Sequence, residues 1–232
     1  MQKPRAVVCW SGGKDSALAL YRILQEGRFE VVALLTTLNA DSRRTNMHLV
    51  CEELLDEQAA ALGIPLEKAW VSDGSNREYE QVMGEKLLAQ KSLGVTHVVF
   101  GDIFLQDLRL YREQLLQGLG LEGVFPLWEQ DTGSLIREFL QAGFKTIVCC
   151  VSTAFFSENS VGEELDAGFI DRLPAEADPC GENGEFHTFC YQGPLFQKPV
   201  LFQKGRKNSA LLRGGSIQAG FWFIDLLPVG NR

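Results

Sequence analysis

Apolar residues along this chain change their spacing in a regular alternation. Ala6 to Trp10 is an unbroken apolar run that stops at Ser11-Gly12-Gly13, as a strand does when both its faces are covered. From Asp15 to Gln25 the apolar positions fall at Ala17, Leu20, Ile23 and Leu24, a helical spacing with Gly27 as its stop. Phe29 to Thr37 is again strand-like. Asn46 to Leu62 predicts a helix, with Leu54, Leu55, Gln58 and Leu62 periodic before Gly63. Pro65–Val71 predicts a strand, Asn76–Gly94 a helix, and His97–Phe100 a strand that ends in Gly101-Asp102. Asp107–Leu119 and Gly133–Ala142 read as helices, and Lys145–Val151 as a strand.

Strands alternating with helices predict an α/β fold, a doubly wound and mostly parallel sheet. Right-handed crossovers would set the strand ends Trp10, Thr37 and Phe100 along one rim, where such folds bind ligands. Beyond Ser152 glycine and proline become frequent, with short β-like segments at Val200–Gln203 and Phe221–Leu226. The expectation is an ATP-binding unit over 1–152 and a smaller α+β unit over 153–232. No Gly/Ser-rich linker marks the boundary, and there are no internal repeats.

Composition narrows the class. The 232 residues are 45% hydrophobic and 22% charged, enough for a sizeable core. A net charge of −8 and scattered basic residues disfavour a nucleic-acid partner, which needs a clustered basic face. Small basic clusters occur only at Arg43-Arg44 and Lys204 to Lys207. The six cysteines include no CxxC pair, so free thiols in a reducing compartment are expected. No stretch approaches the roughly 20 apolar residues of a membrane span, and the N-terminal apolar run is too short for a signal segment. The expectation is a cytoplasmic protein with no membrane partner; a homodimer is left open.

The first chemical feature is Ser11-Gly12-Gly13-Lys14-Asp15-Ser16, between a strand and a helix. A helix N-terminus offers unpaired N–H groups and the positive end of the dipole. Two glycines let backbone approach a phosphate; Ser11 and Ser16 add hydroxyls and Lys14 a charge. Asp15 beside a polyanion either orients the turn or helps hold Mg²⁺. A Walker A loop is excluded, because Val8 stands at its first glycine position and Asp15 follows the lysine. An ordinary capped Gly-Gly turn is the competing explanation.

These six residues resemble the SGGxDS loop of the N-type ATP pyrophosphatases. That resemblance implies the PP-loop fold and cleavage of ATP to AMP and pyrophosphate. The loop would then cradle the pyrophosphate end, with the purine near Leu35-Thr36-Thr37 and Gly101-Asp102. The second feature, Asp178-Pro179-Cys180-Gly181-Glu182-Asn183-Gly184-Glu185-Phe186-His187-Thr188, is on composition alone a polar loop entering a strand. Its Glu182, Glu185 and His187 match no zinc spacing. It resembles the GENGEFHT motif of the diphthine–ammonia ligase family, a branch of the same pyrophosphatases. Gly101-Asp102-Ile103, Pro126-Leu127-Trp128 and Gly143-Phe144 follow as further landmarks in family order.

The resemblance implies an ATP- and Mg²⁺-dependent ligase that adenylates a carboxylate and amidates it with ammonia. The acceptor would sit on a protein of the elongation-factor type. Carboxylate oxygen is a poor leaving group, so activation is required; ammonium must also lose a proton before it attacks. Lys14, Asp15, Glu182 and Glu185 are the catalytic candidates, with Glu182 and Glu185 binding and deprotonating ammonium. Asn183, His187 and Thr188 are the substrate contacts. Ser11 to Ser16, Leu35, Thr36, Gly101 and Asp102 are the nucleotide contacts, and Asp15 is the Mg²⁺ candidate. Asp102 has an equal claim as a turn cap. Arg43, Arg44 and His48 are candidates for a lid, and Arg109 and Arg112 read as solvated helix charges. Trp128 reads as a core or domain-interface residue and Cys149-Cys150 as buried in an apolar strand. Two alternatives stand beside the ligase: a tRNA-modifying PP-loop enzyme, and a nucleotide sensor without chemistry.

Overall fold

A computed structural model describes residues 3–72, 75–214 and 217–230. Its strands are β1 (Arg5–Cys9), β2 (Glu30–Asn39), β3 (Leu66–Val71), β4 (Val95–Val99), β5 (Glu122–Val124), β6 (Lys145–Ser152), β7 (Phe186–Gln192), β8 (Phe202–Gly214) and β9 (Ile217–Pro228). Its helices are α1 (Lys14–Glu26), α2 (Glu52–Leu62), α3 (Asn76–Ser92), α4 (Gln106–Leu119), α5 (Thr132–Gln141) and the short α6 (Ala167–Asp171). No helix among the described residues is long and apolar enough to cross a membrane.

β1 to β5 form one parallel sheet in the order β3-β2-β1-β4-β5. The order reverses at β1, so the crevice outside the ends of β1 and β4 is the switch point where doubly wound sheets take ligands. The expected α/β architecture is present. α1 and α2 pack on one face, with Leu20, Ile23, Leu54 and Leu55 buried against Ala6, Val8, Leu34 and Leu38. α3 and α4 cover the other, through Met83, Leu87 and Leu116 against Val7, Leu35 and Val98. Gly27 and Gly63 end α1 and α2 in the left-handed conformation, at φ of 63° and 69°.

The second sheet is antiparallel, in the order β7-β6-β9-β8. β6, expected in the first unit, is instead a central strand here. The division expected after residue 152 therefore falls behind this strand rather than before it. A continuous apolar run marks a strand covered on both faces but not the sheet that covers it. α1 contacts β7 and α2 contacts β9, so both helices lie between the sheets and one core spans them. Phe139 of α5 stacks on Phe144 at 4.6 Å, and Tyr21 of α1 meets Phe144 edge-on.

Two further local expectations change, and one short strand has no counterpart among them. The helix expected over Asn46–Leu62 begins only at Glu52. Residues 39–51 fold back on themselves, with Asn39 N–H donating to the Arg44 carbonyl and Thr45 N–H to the Val50 carbonyl. Leu49, at φ 55°, stands in a conformation that no α-helix admits. β5 is only three residues long, too short for any periodicity. β8 runs well past the expected Gln203 as an edge strand on which Lys204, Arg206 and Lys207 face solvent.

Candidate active site

The Ser11–Ser16 turn connects the end of β1 to α1. Gly12 has φ 80°, open to glycine at little cost. A Cβ on Gly13 would stand 2.5 Å from His48 Cε1 and 3.0 Å from the Thr188 carbonyl, so the second glycine is required by close approach. Gly13 N–H donates to Ser11 Oγ at 3.2 Å, and Ser16 Oγ donates to the Gly13 carbonyl at 3.0 Å. Lys14 N–H, one of the donors a helix start leaves unpaired, is met from the second sheet by Thr188 Oγ1 at 3.0 Å. Thr188 thus caps α1 from 174 residues away.

Lys14 is buried, its Nζ 2.8 Å from Asp15 Oδ2 and 5.1 Å from the Phe186 ring centroid. Burial pulls the ammonium down, but Asp15, with lesser help from Cys180 and Glu182, holds it above its ordinary value. It stays charged. Facing it is the Gly181–Thr188 turn, which leads into β7. Glu182 Oε1 accepts from the N–H groups of Ile103 and Phe104, at 2.7 and 3.3 Å, just past the end of β4. Desolvation pushes this carboxyl up to about 7, with the Asp15 charge adding and the two N–H bonds opposing.

His187 and His48 lie side by side, ring centroids 4.9 Å apart. His48 Nδ1 is 2.8 Å from the Thr188 carbonyl, which can only accept, so Nδ1 carries the proton. Burial lowers His48 and drives His187 well down, with His48 and Lys14 adding to the effect at His187. Both rings are neutral at neutral pH, and His187 Nε2 is buried without a partner.

These groups line one cavity of about 390 Å³. Its other end lies over β1, β2 and β4, lined by Cys9, Leu35, Thr36, Tyr79, Met83 and Phe100. A Cβ on Gly101 would meet the Asp15 backbone at 2.9 Å, which brings the β4 end against the turn. Asp102 is held by Arg112, Nε to Oδ2 at 2.6 Å, with the guanidinium over the Phe100 ring at 4.4 Å. The solvated-charge expectation for Arg112 therefore does not hold, since it is half-buried in the wall of the cavity and paired with Asp102. Arg109 pairs with Glu113 and covers Trp128.

Ser11, Lys14, Asp15, Ser16, Leu35, Thr36, Gly101, Asp102, Glu182 and His187 thus converge on the cavity. Gly12, Gly13, Glu185, Asn183 and Thr188 do not line it. Glu185 is 1% exposed and accepts from Asp178 N–H and Asn183 Nδ2, at 2.9 and 3.0 Å, so it braces its own turn. Sequence reasoning missed Tyr79 and Met83 on α3 and misjudged Arg112. The available signal was their place on helices that follow the strand ends.

Comparison with known proteins is consistent over both units. Residues 4–123 match the diphthamide synthase N-terminal domain and residues 131–218 the diphthamide synthase C-terminal domain. Diphthine–ammonia ligase of Danio rerio is 26% identical over 219 residues, 85% of this chain and 86% of that protein. The Rattus norvegicus protein of the same name is 25% identical, covering 85% of this chain and 82% of its own. The Schizosaccharomyces pombe protein is 26% identical but only 35% covered. A U34-tRNA thiolase structure from Methanococcus maripaludis aligns over 61% of this chain and 58% of its own. Its identity is 14% and its TM-score 0.37.

Proposed function

The chain belongs to the diphthamide synthase family of ATP-dependent ligases, and from that premise we propose that its cavity adenylates a carboxylate and then amidates it with ammonia. The carrying observation is that Ser11, Lys14, Asp15 and Ser16 of the turn face one cavity with Glu182, and that Thr188 of the second sheet accepts from the Lys14 N–H and so joins the two motifs. In the first step an acceptor carboxylate oxygen attacks the α-phosphorus of ATP. The bond to the β-phosphate oxygen breaks, and pyrophosphate leaves with the electron pair. The turn's N–H groups, Ser11, Ser16 and charged Lys14 suit the growing charge on that leaving group. In the second step ammonia adds to the acyl carbon, and the bond to the AMP oxygen breaks.

Glu182 is the group suited to take the proton from ammonium. A carboxyl near 7 is divided between acid and base at neutral pH, where general-base catalysis is most effective. The geometry supports Glu182 alone in this role, since Glu185 does not line the cavity. Mg²⁺ fits only together with phosphate. Among the described residues no group of three His, Cys, Asp or Glu forms a cage, and Mg²⁺ commonly uses one or two carboxylates plus substrate phosphates. Asp15 would hold it, and the ion would neutralise phosphate charge. The relatives' name points to a carboxylate of the diphthine kind as acceptor, which the family resemblance would place on a protein of the elongation-factor type.

The test is AMP and pyrophosphate release from ATP with ammonium and a panel of carboxylates including diphthine-bearing protein. Acceptor-dependent AMP formation is expected. ATP binding without AMP under any condition would replace this reading with a sensor.

A further inference from the structure

Gln58 of α2 reads in the sequence as one periodic position among apolar ones, yet it is 0% exposed. A buried primary amide needs partners for two donors and an acceptor. The Trp10 indole, which can only donate, gives its N–H to Gln58 Oε1 at 2.8 Å. That contact settles which end of the amide is oxygen. Nε2 then donates to the Gly12 carbonyl at 2.9 Å and to the Cys190 carbonyl at 2.6 Å. Cys190 N–H closes the set with a second bond to the Gly12 carbonyl at 2.8 Å. One side chain therefore joins the end of β1, the phosphate-type turn and β7.

The consequence lies in the Gly12–Gly13 peptide. In a planar trans peptide the C=O and the N–H point in opposite directions. Holding the Gly12 oxygen back against α2 and β7 turns the Gly13 N–H the other way, to Ser11 Oγ, and Ser11 lines the cavity. Between two glycines no side chain opposes a flip of this peptide. A flipped peptide would present a carbonyl oxygen where an anion needs a donor.

We infer that Gln58 is a positioning residue that holds the Gly12–Gly13 peptide with its N–H toward the phosphate end of the cavity. It also ties that orientation to the seating of β7. Gln58 itself does not line the cavity, so it acts through the turn. The inference rests on the turn as an anion site, and not on the reaction that follows.

The test is Gln58→Leu, which keeps the bulk and removes both donors, and Gln58→Glu, which keeps the acceptor and offers at most one donor. In ligand-free protein the Gly13 amide should exchange at least about tenfold faster in Gln58→Leu, from the donors lost, while amides of β4 keep their protection. Pyrophosphate should bind about tenfold or more weakly, and adenosine within about twofold of wild type. Gln58→Glu should fall between, and it decides by the same signals if Gln58→Leu does not fold. An unchanged Gly13 amide overturns the inference, as does an equal loss for pyrophosphate and adenosine with protection lost throughout. Wild type that binds no ATP would defeat the proposed function, and the Gly13 amide would still decide the role of Gln58.

Discussion

Glu182→Gln separates the two half-reactions. Glutamine keeps an acceptor oxygen for the N–H groups of Ile103 and Phe104, at 2.7 and 3.3 Å, so the turn should stay in place. What is lost is a base that titrates at about 7. A carboxyl at that value is about one-tenth ionised at pH 6 and about nine-tenths at pH 8. The wild-type rate of amide formation at saturating ammonium should therefore rise about tenfold between pH 6 and pH 8 and then level off. Glu182→Gln, with no base to deprotonate bound ammonium, should instead follow free ammonia and rise about tenfold per pH unit. The absolute loss in the variant should be about a hundredfold or more, the usual scale of a general base. Pyrophosphate release in the first half-reaction should change little. The assay is amide product at saturating ATP across pH, with pyrophosphate exchange measured in parallel. A wild-type rate that follows free ammonia as the variant does, or an equal loss in both half-reactions, would refute the assignment of Glu182 as base.

Thr188→Val leaves the Lys14 N–H without its cap inside the protein, at a cost of about 1–2 kcal/mol. Calorimetry should show a Tm lower by about 2–8 °C for a chain of this size. Burial lowers His187 in the folded state, so unfolded chains bind more protons as pH falls through the ordinary value of 6.5. Its contribution to stability is thus present above that pH and lost below it, while Glu182, raised in the fold, acts in the opposite sense over 4.5 to about 7. In His187→Gln the Tm difference between pH 7 and pH 5 should shift toward the acid side; an unchanged difference would sink the point. Arg112→Met strands the buried Asp102 carboxylate and should destabilise by about 3–5 kcal/mol in denaturant titration, whereas Asp102→Asn with Arg112→Met should recover most of it.

Much was legible before any coordinates. The 3.6-residue pattern of Ala17, Leu20, Ile23 and Leu24, and the apolar runs at Ala6–Trp10 and Phe29–Thr37, are local properties, and they sufficed for the parallel sheet and its rim. Ser11–Ser16 was recognisable because a strand, two glycines and a helix start are consecutive in the chain. What the tertiary structure decided involves partners distant in sequence. β6 looked like any doubly covered strand, and only its neighbours β7 and β9 assign it to the antiparallel sheet. Glu182 and Glu185 have equal standing in the motif, yet opposite sides of one turn give the first a cavity and the second its own backbone. Arg112 resembled Arg109 until α4 turned it into the wall beside Asp102. Gln58 and Thr188 acquire their roles from bonds spanning 132 and 174 residues. Periodicity reports which face of an element is buried; which polar group it finds there is a property of the packed chain.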